Sequence, residues 1–197
     1  MAHDPAGGRL ILGSTSPYRR ELLARLRVPF ETARPDVNEA PLPGEHPQAL
    51  AVRLARAKAQ AVAALHPDAW VIGSDQVAAF DARSIGKSGD RDAAIAQLMA
   101  MSGREVAFHT ALCVARGSSE AFEALDATRV RFRTLSGDEI ARYVDAEQPF
   151  DCAGSFKCEG LGIALFETIE ARDPTALIGL PLIATGRLLR EAGFAVP

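Results

Sequence analysis

The 197-residue chain carries 22 Lys and Arg against 25 Asp and Glu, a formal net charge of −3, and is 48% hydrophobic. Charges of both signs are mixed along it without a basic run, so nucleic-acid and membrane-surface partners are disfavoured and a small anionic ligand held by a few placed cations is expected. Three cysteines without a CxxC pair and four scattered histidines argue against a disulfide framework and a zinc-type ligand set, and no apolar run approaches the roughly 20 residues that span a bilayer.

Residues 1–8 are polar and Gly-rich, with no apolar signal core. They are read as a flexible N-terminus before one domain, residues 9–197, of a reduced cytoplasmic protein. Arg9–Gly13 is predicted as a buried strand and Pro17 to about Leu26 as a helix. Ser16 suits its N-cap and Pro17 its first position. Val28–Thr32 is predicted as a short strand. Arg34–Pro47 is a Pro-rich acidic loop long enough to be functional. A helix over Gln48–Leu65 shows Leu50, Leu54, Ala57, Ala61 and Leu65 on one face. Trp70-Val71-Ile72 is a strand ending at Gly73-Ser74-Asp75, with a short hairpin over Gln76–Gly86.

Asp90–Met101 is predicted helical, with Ile95, Leu98 and Met99 facing the core and Gly103 just beyond. Glu105–Ala115 and Glu120–Arg133 are predicted as long antiparallel strands around Gly117-Ser118-Ser119. Val130 and Phe132 alternate there with Arg129, Arg131 and Arg133. Ser136 and Glu139 form a capping box, stapled by Leu135 and Ile140, that opens another helix. Ile163–Phe166 is predicted as a strand and Pro181–Glu191 as the final helix, closed by Gly193. The pattern is mixed α/β.

Chemistry concentrates at a few points. Ser14, Thr15 and Ser16, with Arg19 and Arg20 in the first helical turn, describe a phosphate cradle, because arginines at the positive end of a helix dipole favour an anion between them. The same residues also describe an ordinary helix start with solvated arginines. Asp75 follows a buried strand, where open α/β sheets place ligand groups, and can hold a metal or accept a proton from water. Position alone slightly favours a turn residue that caps the next segment. Glu39 is an acid in a long loop. Lys58 falls at the edge of its helix's apolar face and is expected to snorkel to solvent more readily than to meet a phosphate. Lys87 ends the hairpin near Asp75. The loop Asp151–Gly160 mixes small residues, an aromatic, a cation and an acid, as a pocket wall would. GxxxxGK[ST], GxGxxG, GxSxG and HExxH are all absent, which removes several large enzyme classes.

Taken in order, these segments resemble one family. Ser14-Thr15-Ser16-Pro17-Tyr18-Arg19-Arg20 is similar to the opening S-x-S-P-x-R-R motif of Maf-like nucleotide pyrophosphatases. Asp36-Val37-Asn38-Glu39, Lys58, Gly73-Ser74-Asp75-Gln76, Gly86-Lys87 and Cys152-Ala153-Gly154-Ser155-Phe156-Lys157 follow in the family's order. The resemblance runs from Leu10 to the last helix. It implies a Maf/Ham1-like (ITPase-like) α/β fold, a mixed sheet flanked by helices in two lobes with a central cleft. It also implies a divalent metal (Mg²⁺, Mn²⁺ or Co²⁺) and metal-assisted attack of water on an α-phosphorus.

Gln76, with Ser155-Phe156-Lys157-Cys158-Glu159-Gly160, looks like the branch acting on 7-methyl-GTP. The dTTP/UTP branch, other non-canonical nucleotides and a non-enzymatic nucleotide-binding regulator of cell division are the alternatives. Carried over by resemblance, Asp75 is the proton acceptor and, with Glu39, the metal site. Ser14, Ser16, Arg19, Arg20, Lys58 and Lys87 contact phosphate, and Tyr18, Gln76 and Glu159 set base specificity. Gly13, Tyr18, Asn38 and Ser88 depart from the residues that relatives commonly carry as Ala, Trp, Asp and Pro. The expected partner is a small nucleotide, with no nucleic acid or membrane and with a homodimer left open.

Overall fold

The computed structural model of the chain describes residues 8–118 and 120–197. Residues 1–7 of the segment read as a flexible N-terminus, and Ser119 of the turn at 117–119, lie outside the described residues. The elements in chain order are β1 (Leu10–Gly13), α1 (Pro17–Ala24), β2 (Glu31–Ala33), α2 (Pro47–Ala63), β3 (Trp70–Phe80), β4 (Arg83–Ile85), α3 (Arg91–Met101), β5 (Glu105–Arg116), β6 (Glu120–Phe132), α4 (Gly137–Glu147), β7 (Phe166–Glu170) and α5 (Leu182–Glu191). They form a mixed α/β fold around one seven-stranded sheet ordered β2-β1-β3-β5-β6-β7, with β4 paired to β3. Among the described residues no helix is long and apolar enough to cross a membrane.

The strand expected to stop at Ile72 instead runs on through Gly73, Ser74, Asp75 and Gln76 to Phe80. Gly and Asp disfavour strands by themselves. Continuous antiparallel pairing with β5, from Trp70↔Arg116 to Ala79↔Ala107, overrides that preference. Asp75 therefore lies inside a strand, not after one. The far end of β3 turns back as the β3–β4 hairpin, paired from Ala78↔Ile85 to Phe80↔Arg83.

Other boundaries shift for tertiary reasons. The strand expected at Val28–Thr32 forms at Glu31–Ala33, where it pairs in parallel with Ile11–Gly13. The helix expected to reach Leu26 ends at Ala24. Ile163 belongs to a 3-10 helix, Leu161–Leu165, and the strand follows as β7, paired to β6 from Arg129↔Glu170. On α2 the buried stripe is Leu50, Ala51, Leu54, Ala55, Lys58, Ala59, Val62 and Ala63. Leu65, assigned to that face from the wheel, is 75% exposed just beyond the helix. Met99 is exposed as well, because Ala94, Leu98 and Met101 carry α3's buried face.

Local signals hold elsewhere. Ser16 caps α1 by accepting from the Arg19 N–H at 3.3 Å. The capping box of α4 is complete, with Glu139 Oε2 accepting from Ser136 N at 2.8 Å and Ser136 Oγ accepting from Glu139 N at 3.3 Å. Leu135 and Ile140 are both buried in the cluster formed with Phe108, Val130 and Phe132.

Alternation along β3 divides the core. Trp70 and Ile72 pack with β1, α1 and α5, and Ala78 packs with α3 and α4. Between these two apolar clusters the same strand carries Ser74 and Gln76, so a polar strip separates them. On the opposite face, α2 lies so close that a Cβ on Gly73 would overlap the Ala55 carbonyl and the Ala59 N–H. Only glycine allows that approach, and it brings Lys58 down to the sheet beside Asp75.

Candidate active site

Parallel pairing of β1 to β3 ends at Leu12↔Ile72, and β4 pairs from Ala78 onward. The five residues between, Gly73–Val77, have a strand neighbour only on the β5 side. This open edge of the sheet, at the carboxyl end of β1 where the chain leaves for α1, is where ligands of α/β proteins are met. A cleft of about 1100 Å³ opens there. Ser14, Ser16, Tyr18, Arg19, Glu39, Lys58, Asp75, Gln76 and Lys87 all line it, from segments spread over the first half of the chain.

At its centre Lys58 Nζ lies 2.7 Å from Asp75 Oδ1 and 2.9 Å from Glu39 Oε1. Lys58 is 5% exposed, so the expectation that it snorkels to solvent is corrected. It sits one turn from Leu54 and Val62 in the buried stripe, and two carboxylates from distant segments satisfy its charge. Burial pushes the Asp75 carboxyl above the usual carboxylate range, against the nearby charges of Lys58 and Arg19 and with that of Glu39. Burial works the same way on Glu39, yet its hydrogen bond to Lys58 and the charges of Lys58, Lys87 and Arg19 outweigh it and hold this acid low. The two carboxyls are thus driven apart, Asp75 up and Glu39 down.

Around this centre the loop after β1 is ordered by its own hydroxyls, Ser14 Oγ accepting from Ser16 N at 3.1 Å. Arg19 donates its Nε to the Gly179 carbonyl at 2.9 Å. Arg20, one residue on and turned by about 100°, is exposed and is not among the residues lining the cleft. Glu39 rides on a loop fastened by Arg53, which pairs with Glu45 at 2.6 Å and donates to the Ala40 carbonyl at 3.1 Å.

A narrow recess of about 150 Å³ continues from the cleft. Tyr18, Gln76, Phe108, Cys152, Phe156, Cys158, Glu159 and Leu177 are among the residues that wall it. It contains all three positions assigned to base specificity. Burial, with Cys152, Asp151 and Glu159 nearby, pushes the Tyr18 hydroxyl up to about 12, so the ring stays neutral. Gln76 donates its amide nitrogen to Thr110 Oγ1, Ala176 O and Leu177 O at 3.1, 2.9 and 3.0 Å. Both thiols of the recess are pushed up to about 12 by burial first and neighbouring acids second, so they are neutral walls and not nucleophiles.

Sequence reasoning did not single out the carbonyls of Ala176, Leu177 and Gly179, nor Thr110 and Phe108. For the carbonyls a signal existed: Asp173-Pro174-Thr175 is an Asx-type turn sequence before the last helix.

Among the described residues no group of three or more His, Cys, Asp and Glu side chains is placed to hold a metal. Asp75 and Glu39 nevertheless converge on a single cation, the Lys58 ammonium. Two oxygen donors of this kind fit a hard divalent ion that completes its shell with water and substrate phosphate.

Comparison with known proteins follows the same lines. Residues 9–192 match the family described as Maf-like protein. The chain is 61% identical over 189 residues to the 7-methyl-GTP pyrophosphatase of Xanthomonas oryzae pv. oryzae (strain MAFF 311018), covering 96% of this chain and 99% of that protein. It is 58% identical to a protein of the same name from Cupriavidus metallidurans, covering 94% of each. Among solved structures, the Ham1 protein of Staphylococcus aureus superimposes with a TM-score of 0.52 at 15% identity, over 93% of this chain and 99% of that one. A HAM1 protein from Coxiella burnetii gives 0.50 at 15% identity, over 93% and 98%. These two likenesses concern the fold alone.

Proposed function

The chain belongs to the Maf-like family, and from that premise we propose that it is a nucleoside triphosphate pyrophosphatase, a single catalytic domain over residues 9–197 that hydrolyses 7-methyl-GTP to 7-methyl-GMP and diphosphate. The observation that carries the reading is the Glu39–Lys58–Asp75 constellation standing in a cleft that leads into an aromatic and acidic recess. The names of relatives at about 60% identity support the same substrate.

Phosphoryl chemistry of this kind depends on positioning and charge neutralisation. Asp75, ionised, accepts the proton of the water that attacks the α-phosphorus, and its raised pKa makes it a stronger base than an exposed aspartate. Lys58 keeps that carboxylate from being neutralised outright and, with Arg19 and Lys87, offsets charge on the phosphate oxygens and the leaving diphosphate. Ser14 and Ser16 hold the cradle at the start of α1. Asp75 and Glu39 would hold a divalent cation such as Mg²⁺, Mn²⁺ or Co²⁺, which neutralises phosphate charge and acidifies bound water.

The recess suits the base. N7-methylation makes guanine cationic, and the Tyr18 ring and the Glu159 carboxylate attract a cation where Arg19 alone would repel it. Gln76, with its amide nitrogen engaged, offers its oxygen to the N–H edge of guanine.

The test is diphosphate release from a panel of nucleoside triphosphates with each metal. Preferential turnover of 7-methyl-GTP is expected. Equal turnover of GTP would remove the base assignment, and diphosphate from no nucleotide would remove the enzymatic one.

A further inference from the structure

Asp173 is 3% exposed, lies in the connection between β7 and α5, and is not among the residues that line the cleft or the recess. Its carboxylate is nonetheless fully used. Oδ1 accepts from Thr175 N at 2.9 Å and from Thr175 Oγ1 at 2.6 Å. Oδ2 accepts from Ile183 N, in the first turn of α5, at 2.6 Å. Thr175 Oγ1 in turn accepts from Leu182 N at 2.8 Å and lies 2.9 Å from the Leu180 carbonyl. One carboxylate and one hydroxyl therefore pin both ends of the segment 175–183, and a negative charge beside the first turn of a helix reinforces the arrangement.

The pinned segment presents its backbone to the site. The Ala176 and Leu177 carbonyls hold the Gln76 amide at 2.9 and 3.0 Å, and Ala176 O also accepts from Thr110 Oγ1 at 3.0 Å. The Gly179 carbonyl holds Arg19 Nε at 2.9 Å and Ser74 Oγ at 3.1 Å. Gly179 has a φ of +126°, a conformation that glycine adopts without strain, and this turns its carbonyl towards Arg19. With Nε occupied, the terminal nitrogens of Arg19 are the donors left for an anion.

We propose that Asp173 is a positioning residue for nucleotide binding. Acting through the carbonyls of segment 175–183, it aims Arg19 at the phosphates and Gln76 at the base. The proposal rests on the pyrophosphatase reading for the identity of the ligand, but its mechanical content is confined to this chain. An asparagine at 173 offers only one acceptor oxygen, so it turns an N–H donor against either Thr175 or Ile183.

The experiment is calorimetric titration of the full chain with inorganic pyrophosphate, which does not depend on which nucleotide is hydrolysed. Asp173→Asn is expected to weaken binding about tenfold, the scale of a hydrogen bond to a charged group. Thr175→Val should weaken it in the same direction and Thr175→Ser should restore it. In an Arg19→Lys background, which lacks the Nε donor, the effect of Asp173→Asn should largely disappear, as coupled sites require. A general loss of structure would instead persist in full.

Alongside, the ratio of kcat/KM for 7-methyl-GTP over GTP should fall in Asp173→Asn through Gln76. If Asp173→Asn does not fold, the valine and serine variants at 175 decide the matter. Wild-type affinity in Asp173→Asn or Thr175→Val overturns the proposal. So does an undiminished effect in the Arg19→Lys background, or a wild-type chain that does not bind pyrophosphate. Failure of the pyrophosphatase reading has a different signature: pyrophosphate binds with the expected pattern, but no nucleotide is cleaved.

Discussion

Lys58 on α2 and Asp75 on β3 meet at 2.7 Å with only 7% and 9% of their side chains exposed, so each is the other's replacement for water. Removing one partner of such a pair strands the other charge. Lys58→Met is expected to cost about 3–5 kcal/mol of stability at neutral pH, read by chemical denaturation. The sign with pH follows from Asp75, whose folded pKa lies above its unfolded value and moves higher still without Lys58. The penalty is present above that folded pKa and disappears below the unfolded one, where the carboxyl is neutral in both states. The variant should therefore lose its deficit in acid.

Asp75→Asn keeps an oxygen for Lys58 and removes the proposed base. Turnover is expected to fall by about 10³-fold, with an unchanged circular dichroism spectrum. Activity close to wild type would remove Asp75 from the chemistry.

Glu39 adds to the upward pressure on the Asp75 pKa through its charge. Neutralising it in Glu39→Gln should let Asp75 ionise at lower pH. In the metal-free protein the Asp75 carboxyl, followed by carbon NMR, then titrates at lower pH than in the wild type. A titration that moves upward, or does not move, contradicts the coupling.

Tyr18 contributes a neutral ring to the recess. An aromatic face is worth about 0.5–2 kcal/mol to a cation, a few-fold to about thirtyfold in discrimination. Tyr18→Ala should lose this share of the preference for 7-methyl-GTP over GTP, whereas Tyr18→Phe should keep it because the hydroxyl is not the attracting group. Ratios of kcat/KM for the two nucleotides decide between ring and hydroxyl.

Gly73→Ala drives a methyl into α2's backbone at Ala55 and Ala59. Backbone cannot step aside as a side-chain tip can, so a destabilisation of about 3 kcal/mol is expected, at the upper end of overpacking costs. Gly86→Ala, which meets open space at an ordinary φ, serves as the neutral control, within about 0.5 kcal/mol. Thermal or denaturant melts of both variants give the comparison.

Local chemistry was legible in the residues themselves. The hydroxyl loop before α1, the caps of α1 and α4 and the alternation of Val130 and Phe132 with arginines all depend on neighbours within a few positions, and all appear in the structure. What was not legible depends on distant partners. The continuation of β3 through Gly73 and Asp75 exists because β5, more than thirty residues later, pairs with it. Lys58 reads as a solvent-seeking lysine until Glu39 and Asp75 are folded against it. The carbonyls that hold Gln76 and Arg19 belong to the main chain, which every residue possesses, so no side chain announces them. The recess assignments of Tyr18, Gln76 and Glu159 came from family likeness rather than from periodicity, and the structure gathers all three in one place.

The link from Arg19 to Gly179 spans 160 residues. Closing so long a loop is entropically slow and rewards the chain only when nearly everything between has folded. During synthesis from the N-terminus, the serines, Tyr18 and the arginines exist long before the backbone that orients Arg19 and Gln76 has been made. A partly synthesised chain can therefore carry most of the site's side chains yet lack their orientation. The orientation of Arg19 and Gln76 is thus supplied by one of the last parts of the chain to be made.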